Sequence, residues 1–416
     1  MRLAVIADTH IGRSIPLAVA AYRRRAFNNA FTSAVNTCVE RGVDYVFIVG
    51  DLFERRTLRP HLVQFVHDEL YRLYHENLEK HGIKVKILVV RGNHDGRPQS
   101  DTLDYIKHPL ADYLQVFGDT PEEAIYSDDR IQVIGINYYD QIGKAFEYFT
   151  SQGFVDDDRL RVVMVHHFIR GYNDVPPYSD SLTIDNFTNL RPDFVFTGHF
   201  HRRCKPKKLS KGGWILTPGS LEMYDFAEDP DKGFYIVEAK GGGESFEWIH
   251  IEPMHVMRQV KVIADRRRPP LWFMDNIAQK IQSFIDELNR TERSGYIRIV
   301  VEGQLSEGFP SDVNALELKE IIGREQLLLW VDLETMMLDL PPMMARPAIN
   351  SSDITEFFSD FGEFSQDIRE MHIKVRDALD NEASEQTGLL TPTGRSRFIS
   401  DWVDRFKSRS FKEPET

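Results

Sequence analysis

Five short polar motifs hold the side chains of this sequence best suited to chemistry. They are Asp8-Thr9-His10, Gly50-Asp51, Gly92-Asn93-His94-Asp95, His166-His167 and Gly198-His199-Phe200-His201. Each follows an apolar run and offers one or two oxygen or imidazole donors. Together Asp8, His10, Asp51, Asn93, His166, His199 and His201 make seven candidate metal ligands, a set suited to two divalent cations sharing one carboxylate. A phosphodiester is anionic and repels an attacking hydroxide. Two cations ~3.5–4 Å apart neutralise it, lower the pKa of a water between them and aim that water for in-line attack. Asp51, at a strand end, is the natural shared carboxylate. Mixed imidazole, carboxylate and amide donors suit Mn, Fe or Zn better than Mg or Ca, which prefer oxygen alone. Glycines before Asp51, Asn93 and His199 let the backbone turn sharply there. His166, first after its strand, is preferred over His167 as the ligand. A single Gly-Asn-His-Asp is often only a turn; the combination of five motifs carries the reading.

The elements that must position these motifs follow from hydrophobic periodicity. Residues 2–7 read as a buried strand, 23–41 as a helix, 43–49 as a strand, 61–81 as a helix and 85–90 as a strand. This order implies parallel pairing through right-handed crossovers, with ligands bound beyond the carboxyl ends of the strands. Further strands are expected at 130–136, 161–165, 193–196, 214–217, 233–238 and 245–252, with Gly241-Gly242-Gly243 as a hairpin loop. The fold class is therefore α/β, with two stacked sheets flanked by helices. Beyond Pro253 the pattern changes to strand 256–264, helix 271–289, strand 296–302, helix 313–322 and strand 327–333. That is a small α+β capping domain. Pro341-Pro342 and Pro347 mark a linker, followed by a long acidic helical segment at 353–379, a loose polar stretch at 384–393 and a short amphipathic helix at 395–406. Phe398, Ile399, Trp402, Val403 and Phe406 share one face of that last helix. The domain reading is 1–253, 254–340 and 341–416.

Composition narrows the class. The 416 residues exceed one typical domain. A 42% hydrophobic and 28% charged content is that of a soluble globular protein, and no stretch approaches a membrane span. The N-terminal apolar run is too short for a signal peptide. Two cysteines, Cys38 and Cys204, form no disulfide framework, so a reducing cytoplasm is expected. Net charge is -13, from 51 basic and 64 acidic residues, which argues against a general nucleic-acid coating protein without excluding a nuclease.

In order and spacing, the five motifs resemble the calcineurin-like metallophosphoesterase superfamily. Within it the chain is similar to the SbcD nucleases, prokaryotic relatives of the Meiotic Recombination Eleven protein. The similarity rests on Gly50-Asp51-Leu52-Phe53, on the length of helix 23–41, and on Thr217-Pro218-Gly219-Ser220-Leu221-Glu222 followed by Asp231-Lys232-Gly233-Phe234-Tyr235-Ile236-Val237-Glu238. A small capping domain follows, as in that family. The resemblance covers most of 1–335 and fades beyond Pro341.

It implies that Asp8, His10, Asp51 and His201 hold one metal, and Asp51, Asn93, His166 and His199 the other. His94 would protonate or stabilise the leaving oxygen, a task suited to an imidazole, and Asp95 would support a loop or a ligand. The expected activity is Mn-dependent exo- and endonucleolytic DNA cleavage at double-strand breaks, with a nucleoid-associated protein. The expected partners are DNA, a second copy of the chain, and an SMC-like ABC ATPase of the SbcC or Rad-fifty type bound by the C-terminal helices. Leu62, Phe65 and Val66 are candidates for the dimer face. One departure is Glu54, where some archaeal relatives carry a histidine; it bears on DNA-end preference and exonuclease rate.

Two basic clusters near the motifs are candidates for phosphate-backbone contacts: Arg55, Arg56 and Arg59, and Arg202, Arg203, Lys205, Lys207, Lys208 and Lys211. Their alternative is a charged loop, and Arg266-Arg267-Arg268 reads better as a solvated loop. His61, His67, His75 and His81 read as a solvated helix face, and His108 and His250 as structural. Rival functions are a small-molecule phosphodiesterase and a dimeric scaffold for the ATPase.

Overall fold

In a computed structural model of the chain, the described residues are 1–56, 59–95, 106, 114–240, 243–314, 326–339, 370, 371, 375 and 398–404. The first region runs β1 (Arg2–Ile6), α1 (Ala20–Arg41), β2 (Tyr45–Val49), α2 (Pro60–His81), β3 (Lys86–Val90) and β4 (Leu114–Val116). The second runs β5 (Ile125–Ser127), β6 (Ile131–Ile136), α3 (Ile142–Phe149), β7 (Leu160–His166), β8 (Ile169–Arg170), β9 (Leu182–Thr183), β10 (Phe194–Gly198), β11 (Cys204–Lys208) and β12 (Trp214–Thr217). Then come β13 (Gly233–Lys240), β14 (Gly243–His250), β15 (Val256–Ile263), α4 (Pro270–Thr291), β16 (Gly295–Gln304) and β17 (Leu328–Asp339).

Two six-stranded sheets form, in the orders β14-β13-β1-β2-β3-β4 and β11-β12-β10-β7-β6-β5. β1, β2, β3 and β4 are parallel, as are β6, β7, β10 and β12. Strand alternation builds the layers. Ala4 and Ile6 face α1 and α2, where they pack with Phe31, Val35, Val66 and Leu70. Leu3, Val5 and Ala7 face the other way and join Phe47, Val49, Met164, Phe194 and Phe196 in the core between the sheets. α3 covers the far face of the second sheet through Ile142, Phe146 and Phe149. Phe47 and Phe196 meet across the sandwich with ring centroids 4.9 Å apart, and both are fully buried. Phe196→Ala should therefore lower the free energy of unfolding by about 3–5 kcal/mol in urea denaturation. A loss under ~1 kcal/mol would mean that the sheets do not share this core.

β15, β16 and β17 form a separate parallel three-stranded sheet. One face packs under Phe273, Ile277, Ile281, Phe284 and Leu288 of α4. On the other side, Met257 and Tyr296 cluster with Val19, Met223 and Phe226. Arg23 of α1, 1% exposed, crosses this seam and donates to the carbonyls of Ile15 (3.0 Å) and Met223 and to Met257 Sδ (3.0 Å).

His255 lies beside the seam, its Nδ1 2.8 Å from Ser294 Oγ and its ring against Tyr22 and Tyr296. Burial, then the charges of Arg23, Arg25 and Arg293, push its pKa down to about 4. The unfolded chain, with an ordinary histidine near 6.5, binds this proton first, so stability falls as pH drops from about 6.5 to about 4. His255→Asn should remove about 3 kcal/mol of that loss, measured as unfolding free energy in chelator at about pH 7.5 and pH 4. Parallel curves for the two proteins would show that His255 is not the proton acceptor.

Several expectations need correction. The basic run after His201 is not a loop: residues 204–208 form β11, an edge strand paired with β12, and Cys204 lies in it. Lysines on an exposed edge also deter pairing with other strands. Leu62 (7% exposed) and Val66 (0%) belong to the core under the first sheet and present no free dimer face; Phe65 packs against them, half-buried. Gly243 begins β14 rather than lying in the hairpin loop. α3, β4, β5 and the two-residue strands β8 and β9 lacked a sequence signal because each is short.

Residues 315–322 of the expected helix 313–322, most of the acidic segment 353–379, the stretch 384–393, His108 and Phe406 lie outside the described residues. The chain divides into two compact units, Met1–Asp339 and Leu340–Thr416. In the second, residues 398–404 are helical, with Trp402 buried and Ile399 exposed. Among the described residues, no helix is long and apolar enough to cross a membrane.

Candidate metal centre

The carboxyl ends of β1, β2, β3, β7 and β10 converge. The loop after β1 is laced to the loop after β2 by Asp8 N to Gly50 O (3.1 Å), His10 N to Asp51 O (2.9 Å) and Ile11 N to Leu52 O (3.0 Å). Four of the candidate ligands leave their strands in left-handed backbone: Asp8 (φ 52°), His10 (φ 43°), Asp51 (φ 50°) and His199 (φ 75°). Such non-glycine residues cost roughly 1–3 kcal/mol each and cluster at functional sites. Gly50, at φ 83°, makes the turn expected of it. Gly92 and Gly198 have no positive φ; they are there because space is lacking. A Cβ on Gly92 would sit 2.0 Å from Asp51 Oδ1, and one on Gly198 2.1 Å from the Val49 carbonyl oxygen.

All seven candidate ligands are brought together. Three groupings lie within cation-binding reach: Asp8 with His10 and His201, Asp51 with His166 and His199, and His10 with Asp51 and His94. Asn93 joins the second through Oδ1, 3.0 Å from His199 Nδ1. Asp51 Oδ2 lies 3.3 Å from His166 Nε2 and 3.7 Å from His10 Nε2, between the two ends of the cluster. Asp8 Oδ1 is 3.9 Å from both His166 Nε2 and His201 Nε2. His167 is turned away: its ring stacks on Tyr138 at 5.1 Å, and its Nδ1 accepts from Phe168 N.

The donor set fits divalent cations. Asp8 Oδ2 is buried with no hydrogen-bond partner, a costly state unless a cation satisfies it. His10 Nε2 and His201 Nε2 face each other at 3.1 Å, while their Nδ1 atoms point to carboxylates. The two inner nitrogens are close enough for one cation to meet both. Burial, then the neighbouring His166 and His167, pushes His199 down to about 2, so its ring is neutral and free to donate a lone pair.

The supporting residues were not legible in the motifs. Glu54 Oε2 lies 3.1 Å from His10 Nδ1, and its other oxygen accepts from Arg13 at 2.7 Å. Its backbone carbonyl accepts from His94 Nδ1 at 2.9 Å, which leaves His94 Nε2 as the nitrogen open to a substrate. Glu228 accepts from His201 Nδ1 and from Lys232, both at 2.7 Å. Burial opposes ionisation of Glu228, yet His201 and Lys232 hold its pKa down to about 2. Asp95 accepts from the amides of Phe53 (2.9 Å), Gly92 (2.9 Å) and Leu52 (3.3 Å), tying the loops after β2 and β3 together. Tyr224 packs its ring 4.6 Å from both His10 and His201, under the Arg13 guanidinium. Lys232, which follows Asp229, Pro230 and Asp231, read as one more charge in a polar turn, and nothing linked Glu228 to a histidine 27 residues earlier.

Of the candidate phosphate contacts, Arg55, Arg56, Arg59, Arg202 and Lys205 are exposed. Arg203 is engaged by its own protein: it pairs with Asp231 at 3.2 Å and lies over the Trp248 ring at 4.4 Å. Lys207 donates to the Gly171 carbonyl at 2.9 Å.

Residues 1–203 match the family model described as calcineurin-like phosphoesterase, and the N-terminal part of the chain is a metallophosphoesterase domain of that kind. Among curated proteins, the chain is similar to a DNA double-strand break repair protein Mre11 of Methanosarcina acetivorans, 25% identical over 58% of this chain and 37% of the relative. It is 24% identical to the protein of the same name from Thermoplasma acidophilum, over 72% of this chain and 76% of the relative. It is also 23% identical to an uncharacterized metallophosphoesterase, YhaO, of Bacillus subtilis, over 91% of this chain and 85% of the relative. The match thus spans about a third of the Methanosarcina protein and most of the other two. Among solved structures, a dimetal phosphatase from Danio rerio aligns over 61% of this chain and 99% of its own, at 13% identity and a TM-score of 0.38, too loose a likeness to bear on function.

Proposed function

We propose that this chain is a two-cation, Mn-dependent DNA nuclease acting at double-strand breaks. The observation that carries the hydrolytic part is the convergence of the seven candidate ligands around Asp51, with Asp8 Oδ2 left unsatisfied. The names of the Methanosarcina and Thermoplasma relatives support DNA as the substrate. In this reading Asp8, His10, Asp51 and His201 hold one cation, and Asp51, Asn93, His166 and His199 the other. Bound cations would neutralise the phosphodiester and acidify the attacking water. His94 does the remaining proton work. Its Nδ1 is fixed on the Glu54 carbonyl, and in this reading the opposite nitrogen would deliver a proton to the departing oxygen. In this reading the exposed Arg55, Arg56, Arg59, Arg202 and Lys205 would meet the phosphate backbone. Residues 1–253 form the nuclease domain, 254–340 a capping domain, and 341–416 carry helices for an SMC-like ABC ATPase, with a second copy of the chain completing a dimer.

The test is cleavage of end-labelled linear duplex and of circular single-stranded DNA in Mn²⁺, with and without chelator. Chelator-sensitive cleavage supports the nuclease. Rapid hydrolysis of a small phosphodiester with neither DNA cut would replace it with a small-molecule phosphodiesterase, the reading left open by the Bacillus relative that covers 91% of the chain.

A further inference from the structure

We infer that the two cation positions are unequal: the one lined by Asp8, His10 and His201 binds its ion more tightly, because a glutamate stands behind each of its imidazoles. The inference rests on the two-cation reading above and concerns how that centre loads.

At this position, Glu54 stands behind His10 (3.1 Å) and Glu228 behind His201 (2.7 Å), each facing the ring nitrogen that points away from the centre. A carboxylate in that place fixes the tautomer, orients the ring and makes the inner nitrogen a stronger donor. The other position lacks this support. His166 Nδ1 meets a neutral acceptor, the Val49 carbonyl, at 2.8 Å, and among the described residues His199 has no carboxylate hydrogen bond. The third ligand differs in the same sense. Asp8 brings a charge to the first position, whereas Asn93 brings an uncharged amide to the second. Asp51 lies between the two and favours neither.

The glutamates are held in place by buried cations. The oxygen of Glu54 not facing His10 takes Arg13 at 2.7 Å, and the oxygen of Glu228 not facing His201 takes Lys232 at 2.7 Å. Lys232 is 1% exposed and also donates to Ser220 Oγ (3.0 Å) and the His201 carbonyl (3.2 Å). Glu228 is hydrogen-bonded through both oxygens, whereas Glu54 Oε2 meets His10 Nδ1 as a 3.1 Å ion-pair contact outside hydrogen-bond geometry. Two such pairs, each aimed at the outer nitrogen of one imidazole, form a built support and not a chance surface contact. The first position would thus fill at lower Mn²⁺ concentrations than the second.

The experiment is a calorimetric Mn²⁺ titration of the full-length, metal-stripped protein, with electron paramagnetic resonance on the same samples. Two steps should separate by at least about 10-fold in affinity, the range that supporting partners command. Isolated Mn²⁺ signals should dominate below one equivalent, with spin-coupled pairs appearing only beyond it. Glu54→Gln and Glu228→Gln, which keep shape and remove charge, should each weaken the tighter step by about 10- to 100-fold and spare the weaker one. Asn93→Ala should do the reverse, abolishing the weaker step and leaving the tighter. Two equal steps in the wild type, or glutamine variants that weaken the second step instead, overturn the inequality and leave the two-cation reading standing. No Mn²⁺ binding at all sinks both.

Discussion

Asp51→Asn is expected to reduce Mn-dependent phosphodiester hydrolysis more than about 100-fold, beyond what loss of a merely supporting partner costs. The carboxylate is 1% exposed and lies between His166 (3.3 Å) and His10 (3.7 Å), one imidazole from each grouping. Its other oxygen accepts the His94 amide at 2.9 Å, so the same side chain also holds the turn that presents His94. An amide removes the charge both cations would share and places an N–H where a lone pair is needed. Three readings should therefore change together: the initial rate collapses, calorimetric stoichiometry falls below two ions per chain, and the Mn²⁺-induced rise in Tm shrinks as ligand linkage is lost. An Asn variant that binds two ions and hydrolyses within ~10-fold of wild type would remove Asp51 from the shared position.

His94→Gln should lower the rate of DNA cleavage about 10²- to 10⁴-fold while leaving both Mn²⁺ binding steps in place. The pairing of these outcomes matters, because His94 also lies within reach of His10 and Asp51 and could serve as a ligand. A ligand loses metal when replaced; a proton donor does not. The leaving group separates the roles further. A nitrophenyl ester departs without protonation, so the variant should lose far less on that substrate than on DNA. Equal losses on both substrates, with weaker Mn²⁺ binding, would falsify the proton-donor role and make His94 a ligand.

The parallel organisation of the first sheet and the placing of chemistry at strand ends could be read from residues 1 to 95. Apolar runs stop abruptly at Asp8, Asp51 and Asn93, and a chain that alternates strand and helix has few ways to fold. The candidate ligands were legible for the same reason: imidazoles, carboxylates and an amide at the ends of buried strands have few structural uses. The long helices α1, α2 and α4 announced themselves by periodicity, since an apolar face twenty residues long rarely arises otherwise.

Only the tertiary structure decided what stands behind the ligands. Glu54 read as a departure from a pattern, and proves to face His10 while its carbonyl orients His94. Glu228, Lys232 and Tyr224 carried no local signal, because their partners lie in other strands and loops. Packing also moved Leu62 and Val66 into the core, turned His167 onto Tyr138, and drew the basic run after His201 into an edge strand. Spacing along a chain reports which groups leave a strand together. Which carboxylate meets which imidazole depends on loops brought together from distant parts of the chain, and that was settled only when the sheets closed on each other.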